Sequence, residues 1–84
     1  MKKIFEPSIA RAARAYTRLG HIELAEKAGV TSRTVYKLEK DGRVTPASLD
    51  KIMKVLRVNG VTLILDESTN EVCGLKFTKV EGLN

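Results

Sequence analysis

The spacing of apolar residues changes at Gly60, and this change constrains the fold more than any other feature of the chain. Before Gly60, apolar residues recur at intervals of three and four, which places them on one side of an α-helix. After it, Val61–Leu65 is apolar and rich in β-branched residues, and residues 72–80 alternate as strands do. The sequence therefore predicts a mainly α-helical body in residues 1–60 and a β-hairpin in residues 61–84.

The first helix is predicted to begin at Pro7, because the N–H that proline lacks is unpaired in the first turn of any helix. The residues expected to face inward follow at i, i+3, i+4 and i+7: Ile9, Ala12, Ala13 and Tyr16. The cations of this helix fall on the opposite side by the same spacing: Arg11, Arg14 and Arg18. Such a row of charges is most often a solvated face.

Three further helices are marked by residues that start or stop them. The second spans residues 21–28 and ends at Gly29, which tolerates a positive φ. Thr31 is the predicted N-cap of a third helix over residues 32–40, and Thr45 caps a fourth whose first residue is Pro46. The residues expected to face inward from these helices are Leu24, Ala25, Ala28, Val35, Leu38, Leu49, Ile52, Met53 and Leu56.

Two short helices joined at Gly29 form the most informative pattern in the sequence. Close crossing of two such helices needs a small residue, and Ala25 supplies it; the turn needs a residue that accepts a positive φ four positions later, and Gly29 supplies that. The outward side of the second helix is polar, with Ser32, Arg33, Tyr36 and Lys37.

Residues 21–39 resemble the phage-repressor and Cro-like (XRE-type) helix-turn-helix family. The resemblance is carried by Leu24-Ala25, then Gly29-Val30-Thr31, then Leu38-Glu39, and the four helices within about residues 7–57 fall inside it. It implies a mainly α fold, a four-helix helix-turn-helix domain followed here by a hairpin. It also implies a transcription regulator that binds double-stranded DNA, and not an enzyme.

In this family the second motif helix enters the major groove, so the resemblance implies a role for each residue at a matching position. The base-contacting candidates are Ser32, Arg33, Tyr36 and Lys37. The phosphate-contacting candidates are His21, Thr34, Lys40, Arg43 and Arg18. Arg33 has phosphate contact as its alternative role, Tyr36 the covering of the helix stem, and His21 an ordinary surface position. Glu39 is expected to be structural and to pair with the first helix.

Two departures from the family pattern bear on function. His21 stands where the family usually has a glutamine that contacts a phosphate; histidine also donates to phosphate, with some pH dependence.

The hairpin replaces the fifth helix through which many members dimerise, and in this respect the chain resembles some DNA-binding antitoxins. Alternation predicts Cys73, Leu75 and Phe77 on one face of the hairpin. The predicted dimer interface comprises Val61, Leu63, Leu65, Leu75 and Phe77.

Charge and composition support these expectations. Residues 1–60 carry a net charge of +7 and residues 61–84 one of −2, so the helical part is the part expected to meet a polyanion. A chain of 84 residues has a thin core, and small proteins of this size are often stabilised by oligomerisation.

One histidine and one cysteine make no zinc finger, no internal disulfide and no catalytic pair. We therefore expect no metal and no cofactor. The longest apolar run is too short to span a bilayer. The single cysteine fits a reducing compartment, so we expect a cytoplasmic protein.

Three functions remain open at this level. The first is a homodimeric repressor that binds an inverted-repeat operator. The second is an antitoxin, which binds a partner toxin and regulates its own operon. The third, an RNA-binding member of the same fold, is disfavoured, because RNA readers usually offer exposed aromatic residues for stacking. This chain has four aromatic residues, and Tyr16 and Phe77 are expected to be buried.

Overall fold

The computed structural model describes residues 6–69 and 71–78. Four helices precede one two-stranded antiparallel sheet, as the sequence predicts. The elements are α1 (Pro7–Thr17), α2 (His21–Ala28), α3 (Ser32–Asp41), α4 (Pro46–Val58), β1 (Val61–Leu65) and β2 (Val72–Phe77). Asn70 and residues 79 and 80, which belong to the predicted turn and second strand, lie outside the described residues.

α1 begins at Pro7 as predicted, but the predicted inward residues are partly wrong. Ala10 and Ala13 are buried, whereas Ala12 and Tyr16 are exposed. The helix is therefore rotated from the expected orientation. Periodicity did not decide this, because alanine is small and only weakly apolar and fits either a core or an exposed position.

α2 and α3 are joined by the tight turn that the sequence predicts. Gly29 has φ +74°, and the N–H of Val30 donates to the carbonyl of Ala25 at 3.0 Å. The Thr31 side chain then caps α3 by accepting from the Thr34 N–H at 3.2 Å. Because glycine adopts a positive φ without strain, the chain reverses here at little cost and α2 and α3 pack against each other.

The core lies between the helices and one side of the hairpin. Thr45 caps α4 by accepting from the Ser48 N–H at 3.2 Å, and α2 and β1 both pack on this helix. Met53 is half-buried, and Val44 adds a buried residue that the periodicity did not indicate. The buried apolar residues are Ala10, Ala13, Leu24, Ala25, Ala28, Val35, Leu38, Val44, Leu49, Ile52, Leu56, Val61 and Val72.

The hairpin contains a β-bulge that alternation did not reveal. Ile64 pairs with Gly74 but Leu65 pairs with Val72, so Cys73 is the extra residue. The bulge turns Val72 into the core and leaves Cys73 exposed. The predicted placement of Cys73 on the face of Leu75 is therefore wrong.

Phe77 stays near the surface at the end of β2. It is 47% exposed, and its ring stacks on Tyr16 of α1 with the ring centroids 4.4 Å apart. The pair closes the gap between the first helix and the last strand of the described chain.

Candidate nucleic-acid interface

α3 presents one exposed polar face, and the predicted base-contacting residues all lie on it. Val35, Leu38 and Glu39 fill the opposite, buried face. Because the exposed residues recur at i, i+1, i+4, i+5 and i+8, they form a continuous strip along the helix. We call this strip the α3 face, and its residues are Ser32, Arg33, Tyr36, Lys37 and Lys40.

The α3 face carries positive charge only. Arg33, Lys37 and Lys40 are exposed, whereas Glu39, the acid among them in sequence, is 6% exposed and turned into the protein. Glu39 is thus kept away from any ligand on the outer side. A strip of cations and hydroxyl groups matches the phosphates and base edges of a nucleic acid.

Thr34 differs from its neighbours on α3. It is half-buried, and its hydroxyl lies 3.0 Å from that of Thr31. The arrangement fixes the first turn of α3 and leaves the Thr34 hydroxyl at the edge of the α3 face.

The other predicted phosphate contacts are on turns next to the motif. Arg43 is exposed just after α3, and its backbone N–H donates to the Asp41 carboxylate at 3.0 Å. Arg18 is exposed at the end of α1. Its φ is +64°, and among the described residues it is the non-glycine residue with a positive φ. Backbone hydrogen bonds also hold both turns, from the Gly42 N–H to the Leu38 carbonyl at 3.0 Å and from the Arg18 N–H to the Ala15 carbonyl at 3.2 Å.

Glu39 ties α3 to the two helices that precede it. Its Oε2 accepts from Arg14 Nε at 2.6 Å and its Oε1 accepts from Arg14 Nη2 at 3.1 Å. The two side chains therefore form a bidentate ion pair. Its backbone carbonyl accepts from Arg11 Nη1 at 2.7 Å. The expectation that Glu39 pairs with the first helix is confirmed.

His21 joins the same cluster from the first residue of α2. Its Nε2 lies 3.1 Å from Glu39 Oε1. Its ring lies nearly perpendicular to the Tyr36 ring, with the centroids 6.3 Å apart and an interplanar angle of 79°. His21 is half-buried, so one side of the imidazole still faces outward. We call Arg14, His21 and Glu39 the α1–α3 cluster.

The expectation that Arg14 belongs to a solvated face opposite the core is wrong. Arg14 lies between α1 and α3, where it also donates to the Leu19 carbonyl at 3.0 Å. The expected pairing of Glu39 with the first helix was an indication of this, because a carboxylate in such a pair needs a cation on that helix. Arg18, by contrast, has the exposed position expected of it.

The residues of the predicted dimer interface have very different surroundings. Val61 is 1% exposed and belongs to the core of its own chain, and Leu63 and Leu75 are half-buried against that core. Leu65 and Phe77 are 42% and 47% exposed. The apolar surface available to another protein on this side of the hairpin therefore comes mainly from Leu65 and Phe77.

The described part of the chain, residues 6–69 and 71–78, contains no group of three or more histidine, cysteine, aspartate or glutamate residues placed to hold a metal ion. It also contains no helix of the length and apolar character needed to cross a membrane.

A family model described as helix-turn-helix matches residues 9–63, which include most of α1, the whole of α2, α3 and α4, and the start of β1. The comparison with curated proteins returned no match.

Proposed function

The chain belongs to the XRE-type helix-turn-helix family of DNA-binding transcription regulators, and we propose that it is a homodimeric repressor that recognises an inverted-repeat operator in double-stranded DNA. The observation that carries this proposal is the α3 face, a strip of exposed cationic and polar residues on the second motif helix. An α-helix is narrow enough to enter the major groove of B-DNA.

The side chains of the α3 face and the residues beside it divide into two roles under this proposal. Arg33 stands in the first turn of α3, where a guanidinium bonds the O6 and N7 of guanine together. Ser32, Tyr36 and Lys37 contact neighbouring bases. Lys40, Arg43, Arg18, Thr34 and His21 contact phosphates and fix the position of the helix on the duplex.

A second copy of the chain is proposed to pair through the hairpin. The proposal is supported by the exposed apolar side chains of Leu65 and Phe77, which border residues of the core. Two-fold symmetry then presents two α3 faces to half-sites about one helical turn apart, roughly 34–36 Å. Under this proposal the bound dimer represses by occlusion of a promoter.

Selection of bound sequences from a pool of random DNA duplexes tests this function. We expect enrichment of an inverted repeat whose half-sites are centred about 10 base pairs, or a multiple of that, apart. A single half-site in the selected pool would contradict the dimer and leave DNA reading intact. A pool with no enriched sequence would contradict sequence-specific recognition itself.

A further inference from the structure

The backbone carbonyl of Glu39 lies in the last turn of α3, where the helical hydrogen bonds stop. In a helix that continued, the N–H of Arg43, four residues later, would donate to this carbonyl. Here Gly42 ends the helix with φ +76°, and the Arg43 N–H donates to the Asp41 carboxylate at 3.0 Å. The Gly42 N–H donates to the Leu38 carbonyl at 3.0 Å. Among the described residues, therefore, no backbone N–H donates to the Glu39 carbonyl.

Arg11 of α1 supplies the missing donor. Its Nη1 donates to the Glu39 carbonyl at 2.7 Å, a length typical of a hydrogen bond from a charged group. The last carbonyls of a helix also form the negative end of the helix dipole, where a cation is favourable. Arg11 therefore caps the carboxyl end of α3 from a neighbouring helix.

This cap acts on a different part of Glu39 from the ion pair with Arg14. The ion pair binds the side chain of Glu39, whereas Arg11 binds its main chain and so acts on the course of the backbone itself. The backbone continues directly to Lys40, the last residue of the α3 face, and to the turn that carries Arg43. The placement of these two cations relative to the rest of α3 therefore depends on the cap.

We propose that Arg11 is a positioning residue for DNA recognition, which holds the carboxyl end of α3 and the turn after it in the place that sequence reading needs. This inference rests on the proposed function and adds to it a residue that lies on α1, outside the motif. Without the cap, bound DNA has to restore the position of this turn, at a cost in affinity. The cost falls mainly on a duplex that α3 must fit closely, and the number of phosphates in contact stays the same.

A direct phosphate contact is the rival role for Arg11, because its side chain is exposed. Such a contact strengthens the binding of any duplex and adds to the salt dependence of the affinity. The two roles therefore differ in two measurable quantities, the discrimination between duplexes and the slope of log affinity against log salt.

The test compares Arg11→Met with the wild type in affinity for a duplex selected from random DNA and for a random duplex, over a range of salt concentrations. Methionine keeps a long unbranched side chain that suits a helix and lacks the guanidinium. We expect the selected duplex to be weakened about two- to tenfold more than the random one, the range for one hydrogen bond, with the salt slope unchanged. The matched control is Lys54→Met, which removes the same charge from an exposed position on α4 and should keep the wild-type discrimination.

The outcomes separate this role from the function on which it rests. An equal loss for the two duplexes overturns the positioning role: with a salt slope reduced by about one for each protomer, Arg11 contacts a phosphate itself, and with an unchanged slope it only stabilises the fold. Wild-type affinity of Arg11→Met for both duplexes also overturns it. Failure of the wild type to bind any duplex overturns the proposed function and this inference together.

Amide hydrogen exchange of the free protein tests the cap without DNA. The Gly42 N–H, which closes the last hydrogen bond of α3, should exchange faster in Arg11→Met than in Lys54→Met. Equal exchange rates in the two variants would show that Arg11 does not hold this turn.

Discussion

Arg14 of α1 donates two hydrogen bonds to the Glu39 carboxylate of α3, from Nε to Oε2 at 2.6 Å and from Nη2 to Oε1 at 3.1 Å. Glu39 immediately precedes Lys40, the last residue of the α3 face, and follows Leu38, which is buried in the core. The ion pair therefore fixes the part of α3 farthest from its N-terminal cap. Together with the Thr31 cap, it holds both ends of the helix that we propose enters the major groove.

Glu39→Gln is expected to lower the free energy of unfolding by about 2 kcal/mol. Removal of one charge from a buried pair usually costs more than this, but Arg14 and His21 are partly exposed and glutamine keeps one acceptor. Urea denaturation at pH 7 measures the difference. The matched control is Glu26→Gln, an exposed glutamate on α2, which should change the same free energy by less than about 0.5 kcal/mol. Equal losses in the two variants would show that the α1–α3 cluster adds no stability.

The helix-turn-helix was predictable because each of its parts depends on local chemistry. Gly29 was identified from its tolerance of a positive φ, and Thr31 and Thr45 from their ability to accept a backbone N–H. The spacing of Leu24 and Ala25 before that glycine completed the motif. None of these depends on which distant residue a side chain meets.

The orientation of Arg14 and the bulge at Cys73 were not predictable in this way. Both depend on partners far away in the chain: Arg14 faces inward because Glu39 is there, and Val72 replaces Cys73 in the core because of the pairing with Leu65. Periodicity reports the average direction of a helix face or strand, not a single inserted residue. The DNA contacts themselves remain predictions from the resemblance.

Arg18 is expected to be strained, since its φ of +64° places a residue with a side chain in the left-handed region. Arg18→Gly should therefore be more stable than Arg18→Ala by about 1 kcal/mol, because both variants lose the guanidinium and only glycine adopts this φ freely. Thermal unfolding of the two variants measures the difference. If Arg18 contacts a phosphate, the two bind DNA with equally reduced affinity. Equal stability would mean that the end of α1 is not in the left-handed conformation in solution.

The Asp66 carboxyl is expected to titrate below its ordinary pKa of 3.8, because the Ser68 hydroxyl donates to it at 2.6 Å and the N–H groups of Thr69 and Ser68 donate as well. A depressed pKa means that these bonds support the hairpin turn above the unfolded pKa and lose that effect as the pH falls through the folded pKa. Carbon-detected NMR follows the titration directly. Ser68→Ala should raise the pKa of Asp66 towards 3.8, and an unchanged midpoint would contradict the assignment of the Ser68 hydroxyl as its main cause.

The dimer interface is tested with two adjacent residues of similar exposure on opposite faces of β1. Leu65 is 42% exposed and belongs to the predicted interface, whereas Ile64 is 45% exposed and faces the side of Gly74. Leu65→Glu should shift the chain towards monomers, because a charge would lose its hydration in an apolar contact, and Ile64→Glu should leave the dimer unchanged. Sedimentation equilibrium measures the mass. The reverse pattern, with dissociation only in Ile64→Glu, would place the interface on the other face.

The central claim is that the exposed residues of α3 read DNA sequence, and the affinity of Arg33→Ala for selected and random duplexes tests it most directly. Loss of a bidentate contact with guanine should remove about 1–3 kcal/mol of discrimination, so the selected duplex is weakened far more than the random one. The control, Arg43→Ala, should weaken both duplexes equally and reduce the slope of log affinity against log salt by about one for each protomer bound. If Arg33→Ala also weakens the two duplexes equally, then Arg33 contacts only phosphate and the account of sequence reading by this residue is wrong.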